Sequence, residues 1–184
     1  MTTLETPRLI SRPWTKADIE PFFTLCSDPE VMHYFGGPHS REKVEATVRS
    51  CIELQARFGV WLQPLVLKET EEFIGMAGIA EVLFKEHFTP AVEIGWRLAR
   101  RHWGRGYITE IGKAFVDYAF TVRKFDELVS FAVQDNERSI AVMKRLGFTH
   151  DPADDFDHKQ VPDDLPHLKR HVLYRLKNPD RRPA

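Results

Sequence analysis

Between Val92 and Tyr107 the chain reads Val-Glu-Ile-Gly-Trp-Arg-Leu-Ala-Arg-Arg-His-Trp-Gly-Arg-Gly-Tyr. An alternating apolar segment runs into a basic stretch with two glycines, and a helical pattern starts directly after them. Such a turn leaves the N–H groups of the helix start free, with the positive end of the helix dipole behind them, and so makes an anion site. Gly104 and Gly106 remove side chains where backbone must approach a ligand or φ must be positive. Arg101 and Arg105 add positive charge, and the combination suits a pyrophosphate. The same glycines serve many strand-to-helix turns for geometry alone, so Gly-x-Gly by itself leaves that alternative open. Two phosphate loops are excluded. A P-loop needs Gly-Lys-Ser/Thr, whereas Tyr107 and Ile108 follow Gly106, and a dinucleotide fingerprint needs a third glycine where Thr109 stands.

Other residues have chemistry available to them. Glu93 falls on the face of its segment opposite Val92, Ile94 and Trp96. It is suited either to general-base work or to an ion pair with Arg97. Asn136 and Ser139 open a helix, where Asp135 or Asn136 acts as a cap and Ser139 is a first-turn polar residue. The run Asp154-Asp155-Phe156-Asp157-His158, with His150, His167 and His171 around it, matches no metal-ligand spacing. Cys26 and Cys51 fall on apolar helical faces, too few for a zinc site or a disulfide framework, which favours a reducing compartment.

The elements that must position these groups follow from periodicity and punctuation. Arg8–Arg12 reads as a strand closed by Pro13. Thr15 with Asp18 resembles a capping box ahead of Ile19, Phe22, Phe23 and Cys26 at helical spacing. Ser40 caps a second helix whose apolar face is Val44, Val48, Cys51, Leu54 and Phe58, stopped by Gly59. Strands are predicted at Val60–Leu67, Phe73–Val82 and Val92–Leu98, with Gly75 and Gly78 pointing to a bulge in the second. A long helix spans Tyr107–Val122, a strand Leu128–Val133, and a helix Glu137–Leu146 that stops at Gly147. Phe148-Thr149 starts a further strand and Leu168–Leu176 is the last, with Asp151–Pro166 a loop between them. The order β α α β β β α β α β β gives an α/β chain whose mixed sheet carries helices on both faces.

A chain of 184 residues fits one domain, assigned to 1–177, with Asn178–Ala184 a frayed tail. Lys and Arg number 26 against 27 Asp and Glu. This near-neutral balance excludes nucleic-acid binding through bulk basic charge. The start of the chain has no basic and apolar leader pattern, and no apolar run reaches the roughly 20 residues that span a bilayer. A cytoplasmic protein without membrane or nucleic-acid partners is the expectation.

Arg101-x-x-Gly104-x-Gly106 is similar to the Arg/Gln-x-x-Gly-x-Gly/Ala signature of the GNAT acetyltransferases. The stretch from Trp103 to Glu110 resembles the Rim-type branch, whose members are related to the enzymes that acetylate ribosomal proteins. Leu9 to Trp14 resembles that branch's opening Leu-x-x-Arg-Pro-Trp strand, and Glu93-Ile94-Gly95-Trp96 its central strand. Asn136-x-x-Ser139 with Leu146-Gly147-Phe148 resembles its Asn-x-x-Ser helix and the exit from it. These motifs run in the family's order from about Leu4 to Leu176. Ile108 and Gly112 depart from the branch, which has alanine and a larger residue there.

The resemblance implies a mostly antiparallel mixed sheet that splays between its fourth and fifth strands to admit the pantetheine arm of acetyl-CoA. Backbone of Trp96, Arg97 and Leu98 would bond that arm, and backbone from Trp103 through Arg105 to Tyr107, Ile108 and Thr109 would hold the pyrophosphate. Glu93 would be the general base. Ser139 would stand in for the tyrosine that many members use as acid, and Asn136 would contact the pantetheine or hold the helix start. The implied partners are acetyl-CoA as co-substrate, with no metal, and an amine acceptor, either a peptide N-terminus or a small amine. A homodimer is compatible. The acidic 154–158 loop would wall the acceptor site and attract a cationic amine. His33, Tyr34, Trp61, Phe84, His87 and Phe88 are read mainly as core or rim packing around the same cleft. A non-catalytic acyl-CoA binding module would be expected to lose the acid and base, and both Glu93 and Ser139 are present.

Overall fold

The computed structural model describes residues 2–59 and 61–181. Thr15 and Asp18 reach across the first turn, the Thr15 N–H donating to Asp18 Oδ2 at 2.7 Å. Helix α1, Ile19–Cys26, follows directly. Ser40 Oγ accepts from the Lys43 N–H at 3.3 Å to start α2, Arg41–Phe58, and Gly59 ends it at φ +81°. These are the local signals expected of helix ends, and they operate as the residue types require. Helix α3 is Tyr107–Asp117 and runs on into a π turn over Tyr118–Val122. Helix α4 is Glu137–Arg145, with Gly147 at φ +89° just past it.

The strands are β1 Leu4–Glu5, β2 Leu9–Ser11, β3 Gln63–Leu67, β4 Phe73–Glu81, β5 Val92–Leu98, β6 Glu127–Val133, β7 Thr149–His150, β8 Phe156–Asp157 and β9 Arg170–Lys177. Val60, the first residue of one expected strand, and residues 182–184 of the expected tail lie outside the described residues. The tail's start is tied down, since Asn178 N–H donates to the Asp126 carbonyl at 2.8 Å. Among the described residues the strands form one sheet in the order β1-β2-β3-β4-β5-β6-β9-β7, with β8 on β9. Only the β5–β6 pairing is parallel. The expected bulge is present. Leu65 pairs with Gly75 but Val66 pairs with Phe73, so Ile74 is the extra residue. Gly78 is required by close approach, because a Cβ there would stand 2.4 Å from the Trp61 carbonyl oxygen.

Each face of the sheet has its own helices. Ile111 and Phe115 of α3 and Met143 of α4 pack with Ile74, Ile94 and Leu128 on one side. Phe22, Cys26, Val44, Val48 and Cys51 of α1 and α2 pack with Trp61 and Met76 on the other. Farther along that second face, Phe88, Val129, Phe156 and Leu173 make a separate aromatic cluster over β6 and β9. Between the helices and this cluster the sheet floor is left open, and β5 runs along it. No described helix is long and apolar enough to cross a membrane.

Candidate active site

The pairing of β5 with β6 consists of one residue pair, Glu93 with Val129. The Ile94 carbonyl accepts from the Ser130 hydroxyl at 2.9 Å, and beyond it the two strands part. The sheet thus splays where the resemblance implies, between the strands that follow β4 and α3.

The gap opens into a cavity of about 990 Å³ lined by Trp96, Arg97, Leu98, Trp103, Gly104, Gly106, Tyr107, Ile108 and Thr109. Gly104 and Gly106 have φ of +72° and +76°, a region that side-chain-bearing residues rarely adopt, so both glycines are conformational requirements. Gly106 is the N-cap of α3, and no side chain caps this helix start, which leaves its first-turn N–H groups facing the cavity. The Leu98 carbonyl accepts from the Trp103 indole N–H at 2.8 Å. Lys113, Arg138 and Arg145 line the same cavity. None of the three stood out in the sequence, although Arg138 and Arg145 lie seven apart, on one face of α4.

The two arginines of the glycine motif behave otherwise. Arg101 is bound to Glu72, with Nε at 2.9 Å from Oε1, and the guanidinium holds that carboxyl below the usual carboxylate range. The Arg105 carbonyl accepts from Arg8 Nη1 at 3.1 Å. Neither side chain lines the cavity, so its positive lining comes from Arg97 of β5 and from α3 and α4 instead.

A second cavity, about 610 Å³, lies on the sheet floor. The two cavities share Tyr34, Phe35, Trp96, Arg97, Asn136 and Ser139 and so meet at the splay. Glu93 is part of the second cavity's lining. It makes no ion pair with Arg97, whose guanidinium instead donates to Cys26 Sγ at 3.2 Å and lies 3.9 Å from the Phe35 ring centroid. Burial pushes the Glu93 carboxyl up to about 7 from an ordinary 4.5. Asn136 Oδ1 accepts from the Ser139 N–H at 3.2 Å, so Asn136 caps α4 and holds Ser139 at the junction.

Two groups that could rival these are occupied. Tyr174 is buried, stacked on His150 at 4.8 Å, and lines neither cavity. Cys26 and Cys51 are buried thiols, and burial pushes Cys51 up to about 11, far from a reactive thiolate. The acidic loop also departs from expectation. Asp154 is held by Arg175, Asp155 accepts from the Leu173 N–H and His150, and Asp157 faces Arg170. Of the loop only His158 lines the cavity; the rest of that wall comes from the chain just beyond it, Gln160 to Leu168, and is largely apolar.

Residues 8–149 match the acetyltransferase (GNAT) domain family. The chain belongs to the GNAT acetyltransferases. Among its GNAT relatives is the uncharacterized N-acetyltransferase p20 of Bacillus licheniformis, 31% identical over 80% of this chain and 83% of that protein. A solved acetyltransferase from Agrobacterium tumefaciens is 32% identical, with a TM-score of 0.76 over 96% of this chain and 94% of that one. The spermidine N-acetyltransferase of Vibrio cholerae, solved with CoA and spermine, shares the GNAT fold at 14% identity, with a TM-score of 0.71 over 92% and 95% of the two chains. The larger cavity has a lining suited to an acyl-CoA pyrophosphate: free helix N–H groups, close-approach glycines and a cationic rim.

Proposed function

We propose that this GNAT protein is an N-acetyltransferase of the Rim-type branch, acting on a primary amine by direct attack in a ternary complex. The observation that carries the reading is Glu93, an unpaired, half-buried carboxyl with a pKa of about 7 in a cavity that joins the acetyl-CoA cavity. An acceptor amine arrives as an ammonium at neutral pH and cannot attack until it loses a proton. Glu93 takes that proton, directly or through one water, and its raised pKa places it near the operating pH, where a base works best. The amine nitrogen then bonds to the thioester carbonyl carbon, gives up its second proton to water, and the carbon–sulfur bond breaks. Ser139, placed at the junction by the Asn136 cap, donates a hydrogen bond to the sulfur as negative charge gathers there. A serine hydroxyl is too weak an acid to hand over its proton fully, so the thiolate completes its protonation from solvent. No enzyme nucleophile takes part, in keeping with the buried, raised thiols.

The acceptor is a peptide N-terminus or a small amine. Release of free CoA, measured across both kinds of acceptor with Glu93→Gln beside wild type, tests the reading. Release that depends on amine and falls in the variant is the expected result. Tight acetyl-CoA binding with no release for any amine would reduce the protein to a binding module, and equal rates in the variant would remove Glu93 from the chemistry.

A further inference from the structure

Strand β5 places two groups of opposite charge in the second cavity, and neither has a counter-charge among the described residues. Glu93 and Arg97 are four residues apart on the same face, about 13 Å along the strand at the usual rise. The Arg97 guanidinium has a neutral thiol as its hydrogen-bond partner, and its Nε is buried with no partner at all. Lys43, in the first turn of α2, lines the same cavity and also has no ion pair among the described residues. The field there is felt by His39, whose ring is pushed down to about 4 by burial and then by Lys43 and Arg97. An uncompensated buried cation is expensive to keep, and an incoming anion relieves it. Glu93 is the only carboxylate in this lining, and the rest of the wall includes the apolar Leu62, Met76 and Leu165 beside the neutral-polar Ser130 and Gln160 and the imidazoles of His158 and His171.

We propose that the acceptor carries its amine on an apolar body that ends in an anionic oxo group, carboxylate or phosphate, with the amine at Glu93 and the anion at Arg97 and Lys43. The inference rests on the reading that this cavity takes the acceptor. A polyamine is the wrong shape of charge for it, because its distal ammonium would meet the guanidinium.

Four probes of similar length separate the cases: hexylamine, 1,6-diaminohexane, 6-aminohexanoate and 6-aminohexyl phosphate. Each is titrated calorimetrically into the protein with and without CoA, after CoA affinity itself has been measured. Both anionic probes should bind at least about tenfold more tightly than hexylamine, with the diamine weakest, as charge complementarity at a partly desolvated site provides. Whichever anion binds more tightly identifies the natural group. Lys43→Gln and Arg97→Gln should each remove most of that preference while hexylamine binds as before. Lys43 lies on an exposed helix turn, so its replacement keeps the fold even if the Arg97 variant does not. A preference below tenfold, no binding by any probe, a tighter diamine, or a preference that survives Lys43→Gln overturns the proposal. Failure to bind CoA instead overturns the acetyltransferase reading, and the titrations without CoA still read the charge preference.

Discussion

Replacing Glu93 with glutamine keeps the side chain's shape and removes its titration, so one perturbation has two signatures. With the carboxyl near pKa 7, about half the wild-type molecules hold an ionised base at pH 7. The wild-type rate should therefore climb to a plateau by about pH 8. The variant must wait for acceptor that is already neutral, which for an alkyl amine of pKa about 10.4 is roughly one molecule in 2,500 at pH 7. Its rate should rise about tenfold per pH unit, so a gap of about a thousandfold at pH 7 should narrow to a few tens at pH 9, in the usual range for a positioned base. The assay is kcat/KM by thiol release from pH 6 to 9. The second signature is stability. A carboxyl whose pKa is 4.5 when exposed and about 7 when folded binds its proton more tightly in the folded state. Its contribution to stability is fully present below pH 4.5 and is lost as pH rises through 7. Glu93→Gln should therefore melt near wild type at pH 5 and higher at pH 8, by at most about 3 kcal/mol for a shift of this size. Parallel rate profiles, or a melting difference that ignores pH, would refute the assignment.

Gly106→Val should abolish acetyl-CoA binding in a calorimetric titration, because φ of +76° at the α3 N-cap is strained for a β-branched residue; near-normal affinity would mean that the loop does not hold the pyrophosphate. Ser139→Ala should lower turnover about 10- to 100-fold with little change in acetyl-CoA affinity, since its contact strengthens only as charge reaches the sulfur. Its melting temperature should hardly move, because the cap bond uses the Ser139 N–H and not its hydroxyl. Asn136→Ala removes that cap and should cost about 1 kcal/mol of stability, together with turnover through the displaced Ser139. Normal turnover in a destabilised Asn136 variant would separate the helix start from the chemistry.

Features set by a few neighbouring residues were legible in the sequence. Ser40, Gly59, Gly106 and Gly147 mark helix ends that any fold would respect, and Glu93, Gly104, Gly106, Asn136 and Ser139 all line the joined cavities. Strands β1 and β8 are two residues each, too short for alternation to register, and exist because β2 and β9 offer them partners. The π turn after α3 likewise has no signal in a pattern that reads as continuous helix. Charged side chains were the least legible. Arg101 turns to Glu72 and Asp154 to Arg175 because partners distant in sequence stand nearby in the fold. Lys113, Arg138 and Arg145 reach the cavity through the packing of α3 beside α4; spacing puts the two arginines on one face of α4 but does not reveal what that face meets.

The opening of the sheet after Glu93 bears on solubility as well as chemistry. A strand with unpaired main-chain groups is ordinarily a template for aggregation, and proteins blunt such edges with charges, bulges or covering segments. In β5 the bare edge is an internal one. It faces β6, which is held to β9 through seven consecutive residue pairs from Glu127–Lys177 to Val133–His171. A strand from another molecule would have to thread between β5 and β6, whose gap is closed at one end by the Glu93–Val129 pair. A single slender chain can enter from the cavity side without disturbing it. The fold thus keeps a sticky edge available to a ligand while withholding it from other proteins.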